Sequence, residues 1–201
     1  MSKIQIALTG GIACGKSSAS KIFAKSGISI INLDVVAREV VKPKSPGLLE
    51  LVSHFGNNIL NNDDTLNRNM LRQQLLKNKT NQLAIEKILH PKILDKMQQD
   101  IKELNAELVV VEVPLLFEQN LWHMFDRIIL IDCTPQNQLE RLLKRENIDE
   151  KLAKKMISAQ ASPEQRLTLQ EKLPTDIIRN NSDAKTLEQQ INKVITKLLD
   201  L

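Results

Sequence analysis

An α/β fold built on a five-stranded parallel sheet flanked by helices is what this 201-residue sequence predicts. Three observations carry that reading. Short continuous apolar runs recur along the chain and most end at Asp or Pro; capped stretches with helical spacing separate them; and a glycine turn joins the first run to the first helix. Apolar runs of this length suit strands buried on both faces, and strands alternating with helices build a parallel sheet.

Lys3 to Leu8 alternates and is rich in β-branched residues, Thr9-Gly10-Gly11 breaks it, and Lys16 to Lys25 runs helically to a stop at Gly27. The second run, Ile28 to Leu33, ends at Asp34; the third, Leu108 to Val113, at Pro114; the fourth, Ile128 to Ile131, at Asp132. Ile177-Ile178 is a weak fifth. Thr134-Pro135 opens a helix carrying Leu139, Leu142 and Leu143, Ser162-Pro163-Glu164 opens another with proline at its first position, and Ala184 to Leu199 forms the last. The stretch between the second and third runs is too long for one crossover helix, and its pattern is helical: Leu48-Leu49-Leu51-Val52-Phe55 stopped by Gly56, then Met70 to Leu76, then Leu83 to Leu104. An inserted helical lobe is expected there. Asn57 to Asn69, rich in Asn and Asp, reads as a solvated turn region between two of its helices. The length fits one domain, or one core with small inserted lobes, and there is no internal repeat or low-complexity segment.

Composition narrows the function classes. With four Phe, one Trp and no Tyr, aliphatic side chains must build the core. The same scarcity removes the stacking platforms of single-strand nucleic-acid binders, so no nucleic-acid partner is expected. The net charge of +4 is spread through the chain and suits anionic small molecules better than a polyanion surface. The longest apolar runs, such as Leu108 to Val111, fall far short of a membrane span, and the opening MSKIQIALTGG has no signal-peptide cleavage pattern; a cytoplasmic protein with no membrane partner is expected. Cys14 and Cys133 show no metal-ligand spacing and no disulfide framework, which agrees with a reducing compartment.

The chemistry is concentrated in Gly10-Gly11-Ile12-Ala13-Cys14-Gly15-Lys16-Ser17, which satisfies the phosphate-loop (P-loop) pattern and lies between an expected strand and an expected helix. Its glycines let successive backbone N–H groups point into one concavity, and the helix adds its positive end, so a polyphosphate is the natural guest. Lys16 would reach the terminal phosphates and Ser17 would sit on Mg²⁺. The missing motifs argue against a GTPase: Asn78-Lys79-Thr80 is followed by Asn81, so there is no guanine-reading Asn-Lys-x-Asp, and no Asp-x-x-Gly switch occurs. What remains is a small-molecule kinase, with a helical lobe for the acceptor and a short basic lid over ATP. Asp34, at the end of the second strand, can take the proton of an attacking hydroxyl, help hold the metal, or serve as N-cap for Val35 to Val41.

TGGIACGKSS over Thr9 to Ser18, Asp34-Val35-Val36-Ala37-Arg38, His90-Pro91, Pro114-Leu115-Leu116-Phe117-Glu118, Gln138 to Arg145, Ala159-Gln160, Arg166 and Asn180-Asn181 occur in an order that resembles the dephospho-CoA kinase family over nearly the whole chain. The resemblance implies a P-loop kinase fold with an inserted acceptor lobe and a lid. The core would take about 1–34, 107–136 and 163–201, the lobe about 35–106 and the lid about 137–162. It implies transfer of the ATP γ-phosphoryl group to the ribose 3′-hydroxyl of dephospho-CoA, with Mg²⁺. In that reading Asp34, Lys16 and Arg141 are catalytic. ATP is held by Gly11, Ala13, Cys14, Gly15, Lys16, Ser17, Ser18, Arg145 and Asn180, and the acceptor by Asp34, Arg38, His90, Pro114 and Leu115, with Ser17 on the metal.

Several of these residues also have plainer readings. Arg141 and Arg145 lie one helical turn apart, but Glu140 and Glu146 offer them ordinary surface ion pairs. His90 before Pro91 also suits a helix entry, and Glu112 reads as a strand-edge carboxylate in preference to a water-mediated metal ligand. Cys14 has surroundings that favour a thiolate, or is simply small enough to fit. The sequence departs from the family pattern at Asn32, where many members carry an Asp, and at Arg179, where an Asp commonly precedes the paired asparagines. Two other functions fit the same loop: a kinase of this architecture with a different acceptor, and a P-loop protein that binds nucleotide to regulate a partner. The sequence names no protein partner and sets no oligomeric state.

Overall fold

The computed structural model describes residues 3–200. In chain order the elements are β1 (Ile4–Gly10), α1 (Lys16–Lys25), β2 (Ser29–Asn32), α2 (Leu33–Glu39), α3 (Pro46–Phe55), α4 (Arg68–Lys77), α5 (Lys79–Glu103), β3 (Leu108–Glu112), β4 (Arg127–Asp132), α6 (Pro135–Glu146), α7 (Glu150–Ser158), α8 (Pro163–Leu167), β5 (Thr175–Arg179) and α9 (Ala184–Leu199). Single 3₁₀ turns cover Asn57–Ile59, Leu121–Met124 and Thr168–Glu171. The chain divides into two compact units, one formed by the residues up to Asn32 together with those from Asn105 on, the other by Leu33–Leu104.

The first unit holds the whole sheet, in the order β2-β3-β1-β4-β5 with every pair parallel. Register pairs Leu8 and Asn32 with Glu112, Gly10 with Ile131, and Asp132 with Arg179. The carboxyl ends of the strands therefore line one edge, where ligands of open α/β sheets bind. Ile6, Leu8, Val110, Ile129, Ile131 and Ile178 pack with Ala19 and Phe23 of α1 and with Leu187, Ile191, Ile195 and Leu198 of α9. Ala7, Val109, Val111, Ile128 and Leu130, of the opposite parity, are equally buried. Burial of both parities explains why the strands read as continuous apolar runs rather than alternating ones. The weak fifth run is a full strand, paired with β4 along Ile128 to Asp132.

The ends of the helices follow their capping residues. Thr134, Asp149, Ser162 and Asp183 each accept a backbone N–H from the first turn of α6, α7, α8 and α9, and Ser162 with Gln165 closes a capping box.

The second unit is helical, with Ser45, Asn67 and Asn78 capping α3, α4 and α5. Its core joins Val41, Leu51, Ile59, Ile85 and Ile88, with Phe55, Leu66, Leu71 and Leu89 packed against them. Two expectations need correction here. The segment Asn57 to Asn69 is not simply a solvated turn: Ile59 is fully buried and Leu60 bridges Leu66, while the tip from Asn61 to Asp64 and both ends of the segment face water. Nor is His90-Pro91 a helix entry, because α5 runs unbroken from Lys79 to Glu103 with Pro91 inside it.

Candidate active site

At the end of β1 the chain turns through Gly11 to Cys14 into α1. Ala13 adopts φ 60° and Gly15 φ 107°. A Cβ on Gly15 would lie 2.4 Å from Asn180 Nδ2, so glycine is required there by backbone conformation and by space. Gly15 is the N-cap of α1 and has no side chain to occupy the first-turn N–H groups, which leaves the positive end of the helix to a ligand. Lys16 folds back over the loop and donates from Nζ to the carbonyls of Gly10 (2.8 Å) and Gly11 (3.0 Å), setting a cation over the concavity.

The loop is braced from behind. Asn180 is buried and donates from Nδ2 to the Cys14 carbonyl at 2.8 Å, while its own N–H goes to the Asp132 carbonyl at 2.7 Å. Cys14 and Cys133 are joined as a disulfide with Cα atoms 5.4 Å apart, which corrects the expectation of no disulfide. The pairing was hidden by a sequence separation of 119, yet it follows from register: Gly10 and Ile131 are neighbours, and the cysteines lie just beyond them. Cys14 has no thiolate in this state, and cysteine usage no longer argues for a reducing compartment.

Ser17 donates to Glu112 Oε1 at 3.4 Å. Ser20 Oγ (2.7 Å) and Asn32 Nδ2 (3.0 Å) both donate to Glu112 Oε2. Glu112 is only 5% exposed and ends β3, an interior strand, so the strand-edge reading is corrected. It is a buried carboxylate held beside the P-loop serine. Asn32, at the position of an expected acid, supports that carboxylate instead of supplying a second one.

Gln160, Glu118, Arg166 and Gln138 were given no role from sequence. Gln160, after α7, accepts the Ile12 N–H at 2.7 Å, and Glu118 accepts the Ala161 N–H at 2.8 Å. Arg166, on α8, is 4% exposed and donates from Nη1 to the Ala161 carbonyl, but its Nε and Nη2 have no hydrogen-bond partner. Asp132 Oδ1 forms an ion pair with Nη2 at 3.9 Å and likewise has no hydrogen-bond partner. Burial pulls the Arg166 guanidinium below its ordinary value, opposed by the carboxylates of Asp132, Glu118 and Glu164. Gln138 of α6 is buried with Nε2 beside Gly11, and Arg141 follows three residues later with a buried Nη1 that also lacks a partner. Arg145 is exposed and donates to Glu146 at 2.7 Å.

Of the acceptor residues, Pro114 and Leu115 follow β3 in the first unit, while Asp34, Arg38 and His90 belong to the second. Asp34 and Arg38 are both exposed and four residues apart on α2, which places them on one helix face. Asp34 lies inside the first turn, so it is not the N-cap. His90 is half-buried in α5, and Ser18 is exposed on α1.

The family model described as dephospho-CoA kinase matches residues 4–186. The chain belongs to the dephospho-CoA kinase family. A dephospho-CoA kinase of Vibrio parahaemolyticus is 37% identical over 195 residues, covering 96% of this chain and 94% of the relative. A solved dephospho-CoA kinase from Campylobacter jejuni is 26% identical, with a TM-score of 0.64 and 97% of each chain covered. A crystal structure from Thermus thermophilus has a TM-score of 0.82 over 98% of this chain and 99% of its own; at 21% identity it supports the fold alone. This member of the dephospho-CoA kinase family carries its P-loop at the end of β1 in a parallel sheet. Among the described residues no helix is long and apolar enough to cross a membrane, and no three His, Cys, Asp or Glu side chains cluster to hold a metal.

Proposed function

We propose that this chain transfers the γ-phosphoryl group of ATP to the ribose 3′-hydroxyl of dephospho-CoA, the last step of coenzyme A synthesis, in the cytoplasm. The supporting observation is a complete P-loop, with Lys16 over its mouth and Glu112 behind Ser17, in a chain whose family match runs through residues 4–186.

In this reading the acceptor hydroxyl oxygen bonds to the γ-phosphorus as the bond to the β–γ bridging oxygen breaks, and ADP leaves with that electron pair. The hydroxyl proton passes to the Asp34 carboxylate. Lys16 and Arg141 offset charge on the transferring group, and the loop N–H groups hold the phosphates. Arg38 and His90, with Pro114 and Leu115, take the acceptor, while Arg145 and Asn180 complete the nucleotide side. Ser17 and Glu112 present hard oxygen donors without a full protein cage, which fits Mg²⁺ arriving with nucleotide. When bound there, Mg²⁺ supplies charge neutralisation at the phosphates.

An ADP-release assay across acceptors tests the proposal. Dephospho-CoA should be turned over rapidly, and nucleoside monophosphates and small sugar acids slowly. Rapid transfer to one of those instead would assign another acceptor, and no product from any acceptor would point to a nucleotide-binding regulator.

A further inference from the structure

We infer that Arg166 is a ligand for the terminal phosphoryl oxygens of the nucleoside triphosphate, an inference that rests on the kinase reading above. The guanidinium is buried, yet two of its N–H-bearing nitrogens, Nε and Nη2, have no hydrogen-bond partner. A buried charge left so is costly unless an oxygen-rich anion completes it. Asp132 does so only in part, because its nearest oxygen forms an ion pair at 3.9 Å, too long for a hydrogen bond.

The position of Arg166 names the anion. Nη2 lies 2.9 Å from the point that a Cβ on Gly11 would occupy, so the guanidinium abuts the P-loop backbone at a residue with no side chain. Lys16 Nζ lies on the carbonyl of the same glycine at 3.0 Å. Two cations converge on Gly11, one a point charge and the other a planar fork suited to two oxygens at once. The third guanidinium nitrogen, Nη1, is anchored on the Ala161 carbonyl, which fixes the fork without using its free edge. Apart from the long ion pair to Asp132 the free edge meets no acceptor, and a phosphate is the partner that closes the arrangement.

The test is nucleotide titration of the full-length chain and of Arg166→Met and Arg166→Lys, with ATP, ADP and AMP, beside thermal unfolding without nucleotide. Arg166→Met should weaken ATP by about 10–100-fold, the scale of one hydrogen bond to a charged partner, and leave AMP unchanged. Arg166→Lys should recover part of the ATP affinity. In the unsubstituted protein the Arg166 Nε–H resonance should shift with ATP and not with AMP, a readout that does not depend on the variants folding. ATP affinity unchanged in Arg166→Met, equal losses for ATP and AMP, or a silent Nε–H resonance would overturn the assignment. Failure of the unsubstituted protein to bind ATP at all would instead remove the kinase reading.

Discussion

The Ile12 N–H, in the middle of the P-loop, is held by the side-chain oxygen of Gln160 at 2.7 Å, although 148 residues separate them in sequence. A loop amide of the kind that cradles phosphate is thus satisfied by the protein itself. Gln160→Ala should lower stability without nucleotide by about 1 kcal/mol, the net worth of one such bond. Saturating ATP should narrow that difference as a phosphate oxygen takes over the amide. Thermal unfolding with and without ATP measures both, and an undiminished gap would show that phosphate does not replace Gln160.

Asp34→Asn separates the remaining roles of that residue. Because Asp34 is exposed inside the first turn of α2, stability should change little. Turnover should fall about 10²–10⁴-fold, the usual contribution of a positioned base, with ATP affinity preserved. Loss of Mg²⁺-dependent ATP binding with only a modest rate loss would make it a metal partner, and an unchanged rate would remove it from the chemistry.

The two α6 arginines should differ. Arg141 carries a buried, unpartnered Nη1, whereas Arg145 is exposed and paired with Glu146. Arg141→Ala should reduce turnover by about tenfold or more. Arg145→Ala should have the smaller effect on rate, and an exposed pair of this kind contributes little to stability. Steady-state kinetics on both variants decides, and the reverse ranking would show that Arg145 leaves Glu146 to engage the nucleotide.

Far from the loop, Asp176 accepts from Arg127 Nε and Lys197 Nζ, each at 2.6 Å. Burial alone would raise its pKa, but the hydrogen bonds and charges of Arg127 and Lys197 together hold the carboxyl below its ordinary 3.8. The folded-state value is therefore below the unfolded one, and the stabilisation is present above pH 3.8 and lost as the pH falls through the lowered value. Asp176→Asn should cost about 1 kcal/mol near neutrality, the scale for a partly exposed hydrogen-bonded ion pair, and the difference from wild type should shrink below pH 3.8. Denaturant unfolding across pH checks this. A difference that stays constant into acid would mean that the ion pair is not its source.

What the sequence made legible was local. The strands, the capping residues Thr134 and Ser162 and the loop from Gly10 to Ser17 are all encoded within a few consecutive positions. What escaped depends on partners brought together by sheet register. Glu112 becomes significant only when β3 is seen inside the sheet beside Ser17, Ser20 and Asn32. The Cys14–Cys133 bond needs the β1–β4 pairing. Arg166 and Gln160 stood among the residues that resemble the family, but composition and spacing gave neither a role, because nothing nearby in sequence shows that they face the loop. Ile59 was masked by its Asn and Asp neighbours, whose local turn preference outweighs one buried apolar side chain in any reading of a short window.

The placement of β1 has a consequence for how the protein is made. Ile6 pairs with Val110 on one side and Arg127 on the other, so the middle strand of the sheet is synthesised long before either neighbour. At about 5–20 residues per second the ribosome leaves this strand without its partners for roughly ten seconds. During that interval Leu33–Leu104, which has a core of its own, is completed first. The nascent chain thus carries an apolar strand bearing the P-loop while a helical body forms downstream of it. Association of β1 with β3 and β4 is the late, non-local step that sets the pace of folding. The P-loop is fixed in place only at that step, so a chain stalled before β4 emerges has its helical unit and no P-loop held by the sheet.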